Sequence, residues 1–451
     1  MAAHTRATAL EASFLALERP GLPMHVAGVV VFDATAGAGG PLALKDLRRL
    51  VAARAARLPK FRRRVSPGWL GLGRPGWVEA DVDLDAHLFE HRLPAPGSTS
   101  QLAGLCAQIH ADLLSRDRPL WEMHLIDGLA GERQALVLKT HHAITDGIGG
   151  MQVAEVLFDR ARPHRRLENG GLPSLRFARP RRPTVTDLAQ ALVGLAFTVA
   201  SGPIALSGPF NGSVGGGRAF AMATLPVDVI RRLKRRFGGS VDDVLLAVVA
   251  AGLSRRLARE RYPRMPHALR AMLPVSTRPS AAGTELGNHV TAVFVDLPLD
   301  TSDLGALVRR IATAKSTLRT AHAAAGMSLL IEAAGRLPRA LHETVVRFAA
   351  ALPAANLIFS DLPGPDEPLF LLGHPITACY PMIPLSPALG LSVAAVSWDG
   401  KICIGIVADP DLVPQPKRLA AEIEAVVRAL EKSQLRRPSS RQSSRPHRRA
   451  A

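Results

Sequence analysis

Aromatic side chains are scarce in this 451-residue chain: fourteen phenylalanines, four tryptophans and two tyrosines make up only 4% of it. Aliphatic residues must therefore build its interior. A hydrophobic content of 47% over this length is enough for two domains of ordinary size. Cysteine is scarce too. Cys106, Cys379 and Cys403 are odd in number and widely spaced, which argues against structural disulfides and fits a reducing, cytoplasmic setting. Acidic residues are the third shortage, with 38 Asp and Glu against 56 Lys and Arg, for a formal charge of +18. No helix-turn-helix, zinc finger or aromatic-rich RNA platform accompanies that charge, so no nucleic-acid partner is expected. An anionic lipid surface explains it at least as well.

Long apolar runs are missing as well. No signal-peptide core precedes Phe14, and nothing reaches the twenty or so unbroken apolar residues of a spanning helix. The nearest candidate, Leu188 to Val199, is interrupted by Gln190 and Gly194 and closed by Gly202-Pro203. Its apolar residues run almost all the way round. Two readings stand: a helix buried between domains, or shallow attachment to a membrane or lipid-droplet surface.

What the chain does contain is the run His141-His142-Ala143-Ile144-Thr145-Asp146-Gly147. Four fixed positions of the form HHxxxDG arise by chance in roughly one chain per few thousand. The strand-like Ala135-Leu136-Val137-Leu138 precedes the run, and Ile148, Met151, Ala154 and Phe158 follow it at helical spacing. The histidines thus stand where a strand ends. Alternation along the strand sends neighbouring side chains to opposite faces, so one imidazole enters a channel while the other packs behind it. A neutral imidazole can take a proton from an alcohol attacking a carbonyl. Asp146 either orients the ring or pairs with an arginine to hold the loop, and Gly147 is expected to permit a tight turn with positive φ. Zinc is the rival reading. Adjacent histidines converge poorly on one metal, and neither an H-E-x-x-H helix nor a Cys-x-x-Cys pair is present, so no metal is expected.

Two other patterns carry little. Gly71-Leu72-Gly73-Arg74-Pro75-Gly76 satisfies GxGxxG, but Pro75 stands where a nucleotide fold opens a helix. Gly212-Ser213 follows Asn211, where a nucleophile elbow requires glycine, so direct transfer is expected rather than a serine acyl-enzyme.

Strand-like Ala27 to Phe32 and helical Leu44 to Leu58 place a first domain at residues 1–159. A linker containing the apolar segment spans 160–218. A second domain spans 219–432, with a helix from Asp242 to Leu257, a strand from Val290 to Leu297, and two strands joined at an Asp399-Gly400 hairpin. Residues 433–451 hold no acidic residue and are expected to form a disordered basic tail. Mixed strands and helices in both halves indicate an α/β class, built as two α+β sandwiches.

From about Leu10 to Arg428 the chain resembles the bacterial wax ester synthase/diacylglycerol acyltransferases, relatives of chloramphenicol acetyltransferase and of peptide-synthetase condensation domains. Beside the histidine motif, the residues that carry the likeness are Ala12-Ser13-Phe14, Pro23-Met24-His25-Val26, Pro119-Leu120-Trp121-Glu122 and Leu273-Pro274-Val275-Ser276. Gly287-Asn288, Leu362-Pro363-Gly364-Pro365 and Val407-Ala408-Asp409 complete it. There are departures. Asp242-Asp243 stands for a usual Asn-Asp, so Asp243 matches while Asp242 replaces a donor with a group that, ionised, only accepts. Glu11 replaces an aspartate, and Ser360-Asp361 replaces Ser-Asn.

The resemblance implies two chloramphenicol-acetyltransferase-like domains with the active-site channel between them. It also implies an acyl-CoA-dependent O-acyltransferase that esterifies diacylglycerol or a long-chain fatty alcohol. His142 would act as general base, with His141, Asp146 and Gly147 completing the motif. Asp146 would pair with Arg62, and Pro119, Leu120, Trp121, Asp243 and Asn288 would support the site. No cofactor is implied, since acyl-CoA is a substrate whose phosphates suit the basic charge. Two other readings remain open: a condensation-type enzyme for a specialised or carrier-bound acceptor, and a weakly active lipid-binding member. Attachment to a membrane or droplet would be peripheral.

Overall fold

The apolar run before the histidine pair lies inside the strand Arg133–His141, which is buried at seven of its nine residues. Such near-continuous burial marks a strand covered on both faces. It sits in a six-stranded sheet in the order Phe370–Leu371, His374–Met382, His25–Asp33, Arg133–His141, Trp121–Leu129, Leu88–Arg92. A second six-stranded sheet runs Val290–Pro298, Ala268–Ser276, Leu357–Leu362, Leu391–Trp398, Lys401–Ala408, Ala219–Pro226. The structure, a computed structural model, describes residues 5–435 except 38–39, 69–72, 161–175, 178–183, 201–207, 263–264, 277–284, 287, 289 and 366. Nearly half of the expected linker, Gly71, Leu72, Gly287 and the tail from residue 436 therefore lie outside the described residues.

Local chemistry explains the elements. Helices Ala9–Leu17, Thr99–Ala111 and Val241–Arg259 each begin with a capping box, made by Thr8 with Glu11, Ser98 with Gln101, and Ser240 with Asp243. The hairpin between Leu391–Trp398 and Lys401–Ala408 turns on Asp399 and Gly400, both with positive φ, as a two-residue loop matched to strand twist requires. The expected helix at Asp242 to Leu257 and the strand at Val290 to Leu297 are both present.

One stretch departs from the expected division. Residues 370–382 fall in the half assigned to the second domain, yet His374–Met382 pairs antiparallel with His25–Asp33 in the first sheet. Strand alternation shows which side chains face inward but does not name the partner strand, so this exchange was invisible. The exchanged strand packs against Leu391–Trp398 and Lys401–Ala408 of the second sheet. Gly405 allows this approach, because a Cβ there would collide with the Pro381 carbonyl. The two sheets are thereby locked at their shared border, where the site lies.

The segment Leu188 to Val199 is part of the helix Val185–Ala200, which packs on helix Ala323–Gly335 with Gly194 and Gly326 backbone to backbone. Leu188, Leu192 and Val193 remain about half exposed. Among the described residues, no single helix is long and apolar enough to cross a membrane. Cys106, Cys379 and Cys403 are buried and free.

Candidate active site

Pairing fixes the motif strand up to His141, which stands opposite His25. The Leu120 carbonyl accepts the His141 N–H at 3.0 Å, and the Met24 carbonyl accepts that of His142 at 2.7 Å. Trp121 is fully buried, stacks between His87 and Phe61, and donates through Nε1 to the Phe61 carbonyl at 3.0 Å. Pro119-Leu120-Trp121 thus anchors the strand from which the histidines project.

The two rings diverge. His141 Nδ1 accepts from the Ala143 N–H at 2.9 Å, which places its proton on Nε2, 3.1 Å from Glu18 Oε2. His25 Nε2 lies 3.1 Å from the same oxygen. Burial alone would raise the Glu18 carboxyl, but His141 and His25 outweigh it and hold Glu18 well below the usual carboxylate range. His25 is pushed down to about 4, chiefly by burial, against the opposing hydrogen bond it makes to the Glu18 carboxylate. These three residues form a buried polar cluster behind the motif.

His142 turns the other way, onto a cavity. Its ring stacks on Phe14 with centroids 4.1 Å apart and planes 8° off parallel. Asn288 Nδ2 donates to the His142 carbonyl at 2.6 Å and lies 3.3 Å from its Nδ1. The ring hydrogen-bonds to that same carbonyl. Burial pushes the His142 pKa down to about 4, opposed by this bond and by Asp146. The imidazole is therefore neutral at pH 7.

The cavity has a volume of about 420 Å³ and an apolar wall drawn from both sheets, including Val26 and Leu138 from one and Met272 and Ile358 from the other. Such a space suits a hydrocarbon chain. Met382, from the exchanged strand, also lines it.

Other expected residues fall into place or are corrected. Asp146 is the N-cap of helix Gly147–Leu157, its Oδ1 accepting the Gly149 N–H at 2.8 Å. It does not meet Arg62, whose side chain is exposed while Asp146 is buried. The turn Pro59–Arg62 points Lys60 and Phe61 inward and Arg62 outward. Lys60 is the cation that reaches the motif loop. It donates to Glu11 Oε1 at 2.5 Å and to the Ala143 carbonyl at 3.4 Å. Gly147 is not among the glycines with positive φ, contrary to expectation. Its constraint is space, since a Cβ would press into the Leu362 side chain of the Leu-Pro-Gly-Pro turn.

Asp243 supports its helix as the capping-box acid and pairs with Lys315 at 2.7 Å. Asp242 lies 3.2 Å from Lys315 and hydrogen-bonds with Asp361 on the cavity wall. Burial, then Asp242, pushes the Asp361 carboxyl up to about 8. Two of the three departures noted in the sequence thus touch, and below about pH 8 the Asp361 proton supplies the donor that a lone carboxylate lacks.

Sequence reading did not anticipate Glu18 or Lys60. Glu18 did leave a signal: it is the C-cap residue of helix Ala9–Leu17, where an acid opposes the helix dipole and calls for a specific cationic partner.

Residues 8–201 match the model of the wax ester synthase/diacylglycerol acyltransferase catalytic domain, and residues 286–431 match that of the family's C-terminal domain. A Mycobacterium tuberculosis protein named as a diacylglycerol O-acyltransferase is 32% identical over 92% of this chain and 87% of its own length. Another from that organism is 29% identical over 94% and 98%. The solved wax ester synthase/diacylglycerol acyltransferase of Marinobacter aquaeolei superposes with a TM-score of 0.70 at 26% identity, covering 95% of this chain and 99% of that one. The first condensation domain of the calcium-dependent antibiotic synthetase shares the fold, with a TM-score of 0.65 at 18% identity over 95% and 96%.

Proposed function

Because this chain belongs to the wax ester synthase/diacylglycerol acyltransferase family and is an acyltransferase, we propose that it esterifies diacylglycerol or long-chain alcohols from acyl-CoA, with His142 as general base. The observation that carries this reading is the neutral His142 ring on the wall of an apolar cavity between the two sheets; a proton held on Nδ1 leaves the Nε2 lone pair to act as the base.

In this mechanism His142 Nε2 takes the hydroxyl proton as the alcohol oxygen bonds to the thioester carbonyl carbon. The tetrahedral adduct then collapses, the carbon–sulfur bond breaks, and the imidazolium returns its proton to the departing thiolate. A positioned base contributes about 10² to 10⁴-fold, and the dry cavity aligns both substrates for the remainder. Phe14 and Asn288 act as positioning residues, one holding the ring plane and the other the carbonyl that keeps the proton on Nδ1.

Insoluble substrates imply work at a membrane or droplet surface. The half-exposed Leu188, Leu192 and Val193 and the net charge of +18 support peripheral attachment. Purified protein with labelled palmitoyl-CoA and either hexadecanol or dioleoylglycerol should yield ester, and His142→Ala should yield none while keeping its circular dichroism. Equal turnover in the variant would sink the mechanism. Absence of any ester from the intact protein would instead favour a lipid-binding role. Co-sedimentation with anionic vesicles that weakens with salt tests the attachment, and no association even at low salt would refute it.

A further inference from the structure

A second cavity, of about 630 Å³, lies on the opposite face of helix Ala9–Leu17. Ala12, Leu15 and Ala16 face it, whereas Leu10, Phe14 and Leu17 face the His142 cavity. The rest of its wall mixes apolar and small residues, among them Val65, Pro75 and Leu337, with arginines. Arg6, Arg64, Arg74, Arg116, Arg336 and Arg339 converge on it, against two acids, Asp117 and Glu343.

Three of these arginines have partners: Arg116 with Glu18 at 3.1 Å, Arg336 with Glu332 at 3.5 Å, and Arg339 with Glu343 at 2.8 Å. Arg6, Arg64 and Arg74 make no ion pair among the described residues. They come from three separate segments of the chain, so their convergence is a product of the fold and not of one basic run. Arg74 is half-buried, and its pKa is lowered by burial, then by the fields of Arg6 and Arg336. Like charges gathered in a concave site raise the local potential and attract an anion. Guanidinium groups match the paired oxygens of a phosphate bidentately, a fit that a spherical ion does not offer.

We propose that this cavity is a binding site for a phosphorylated ligand, with Arg6, Arg64 and Arg74 as its phosphate-contacting residues. The volume suits a nucleotide-sized group. Two sources share this chemistry: the phosphoadenosine diphosphate end of a coenzyme A thioester, and the headgroup of an anionic phospholipid. The choice of these sources rests on the acyl-transfer reading above, whereas the site itself rests on the arginines alone.

The test measures binding without turnover, on the full-length protein. Coenzyme A is titrated calorimetrically, and vesicles of phosphatidylglycerol in phosphatidylcholine are co-sedimented. Each is done with the wild type, with Arg64→Ser/Arg74→Ser, and with Arg64→Lys/Arg74→Lys. At least one probe should bind the serine variant roughly 10- to 100-fold more weakly, the loss of one or two charge-assisted hydrogen bonds. The lysine variant should recover part of the loss, and the probe affected identifies the source. Unchanged binding of both probes in a serine variant with wild-type melting behaviour overturns the proposal, as does failure of the wild type to bind either. His142→Ala run beside them separates the two readings: it should bind as the wild type does while forming no ester.

Discussion

His142 is neutral over an unusually wide range, because burial outweighs the attraction of Asp146 and sets its pKa at about 4. The expected kcat/KM with a soluble alcohol is therefore flat from pH 7 to about 5, falling only as the pH nears 4. An acid limb centred near 6.5 would show that the free enzyme holds the ring in a wetter site. His25 behaves alike in stability terms. It is neutral in the fold down to about pH 4, but protonates near 6.5 once unfolded. The unfolded chain then binds more protons, so stability falls as the pH drops through that window, by about 1.4 kcal/mol per unit. Glu18, held below its ordinary range, adds to the loss below pH 4.5. Urea unfolding at pH 7 and pH 5 should resolve the difference. At Asp361 the sign reverses: its pKa of about 8 lies above the unfolded value, so stability is lost as the pH rises from 3.8 toward 8. Asp242→Asn removes the neighbouring acid, and its melting temperature should exceed that of the wild type by a few degrees at pH 8 but not at pH 4. Equal shifts at both values would mean that the carboxyl pair does not govern this region.

Among elements, the helix Ala9–Leu17 bears most directly on geometry. Glu11 fastens its start three ways, through Thr8, Lys60 and Trp77, the last at 2.9 Å, and the fastened helix sets Phe14 on the His142 ring. The helix Gly147–Leu157 is placed by contact with Leu362. Gly147→Ala should cost about 1–3 kcal/mol by overpacking, and Leu362→Ala in the same chain should restore part of it. That double variant, compared by denaturant melts, measures the coupling directly; strict additivity would place the strain elsewhere. These contacts also show what could be read in advance. The motif strand, its helix and the Asp399-Gly400 hairpin are written in short-range periodicity and turn chemistry, so they were legible. His142 directly follows the strand that ends at His141, with Asn288 on its carbonyl and Trp121 paired opposite Thr140. The resemblance pointed to Arg62, but the turn buries Lys60 and Phe61 and leaves Arg62 outside, and no pattern in Pro59-Lys60-Phe61-Arg62 reveals that. The contact between Asp242 and Asp361 joins residues far apart in the chain, so each was visible only as an isolated oddity.

At the scale of the whole molecule, the histidine motif and the stretch of chain that completes its sheet are far apart in sequence. His374–Met382 lies at the side of His25–Asp33, and Met382 lines the same cavity as His142. A fragment ending near residue 201, the limit of the catalytic-domain match, lacks this strand and leaves the paired edge of His25–Asp33 open. Expressed alone, it should be insoluble or self-associated, as an uncovered strand edge invites. A soluble, monomeric fragment with wild-type circular dichroism per residue would show that the strand is dispensable. The same exchange governs what happens on the ribosome. His374–Met382 emerges about 240 residues after the histidine motif, a delay of roughly 12–50 s at about 5–20 residues per second. Throughout that interval the nascent chain carries the His142 imidazole beside an unzipped sheet. Only the late strand closes the edge, so competence arrives in one step near the end of synthesis and incomplete chains have no finished site.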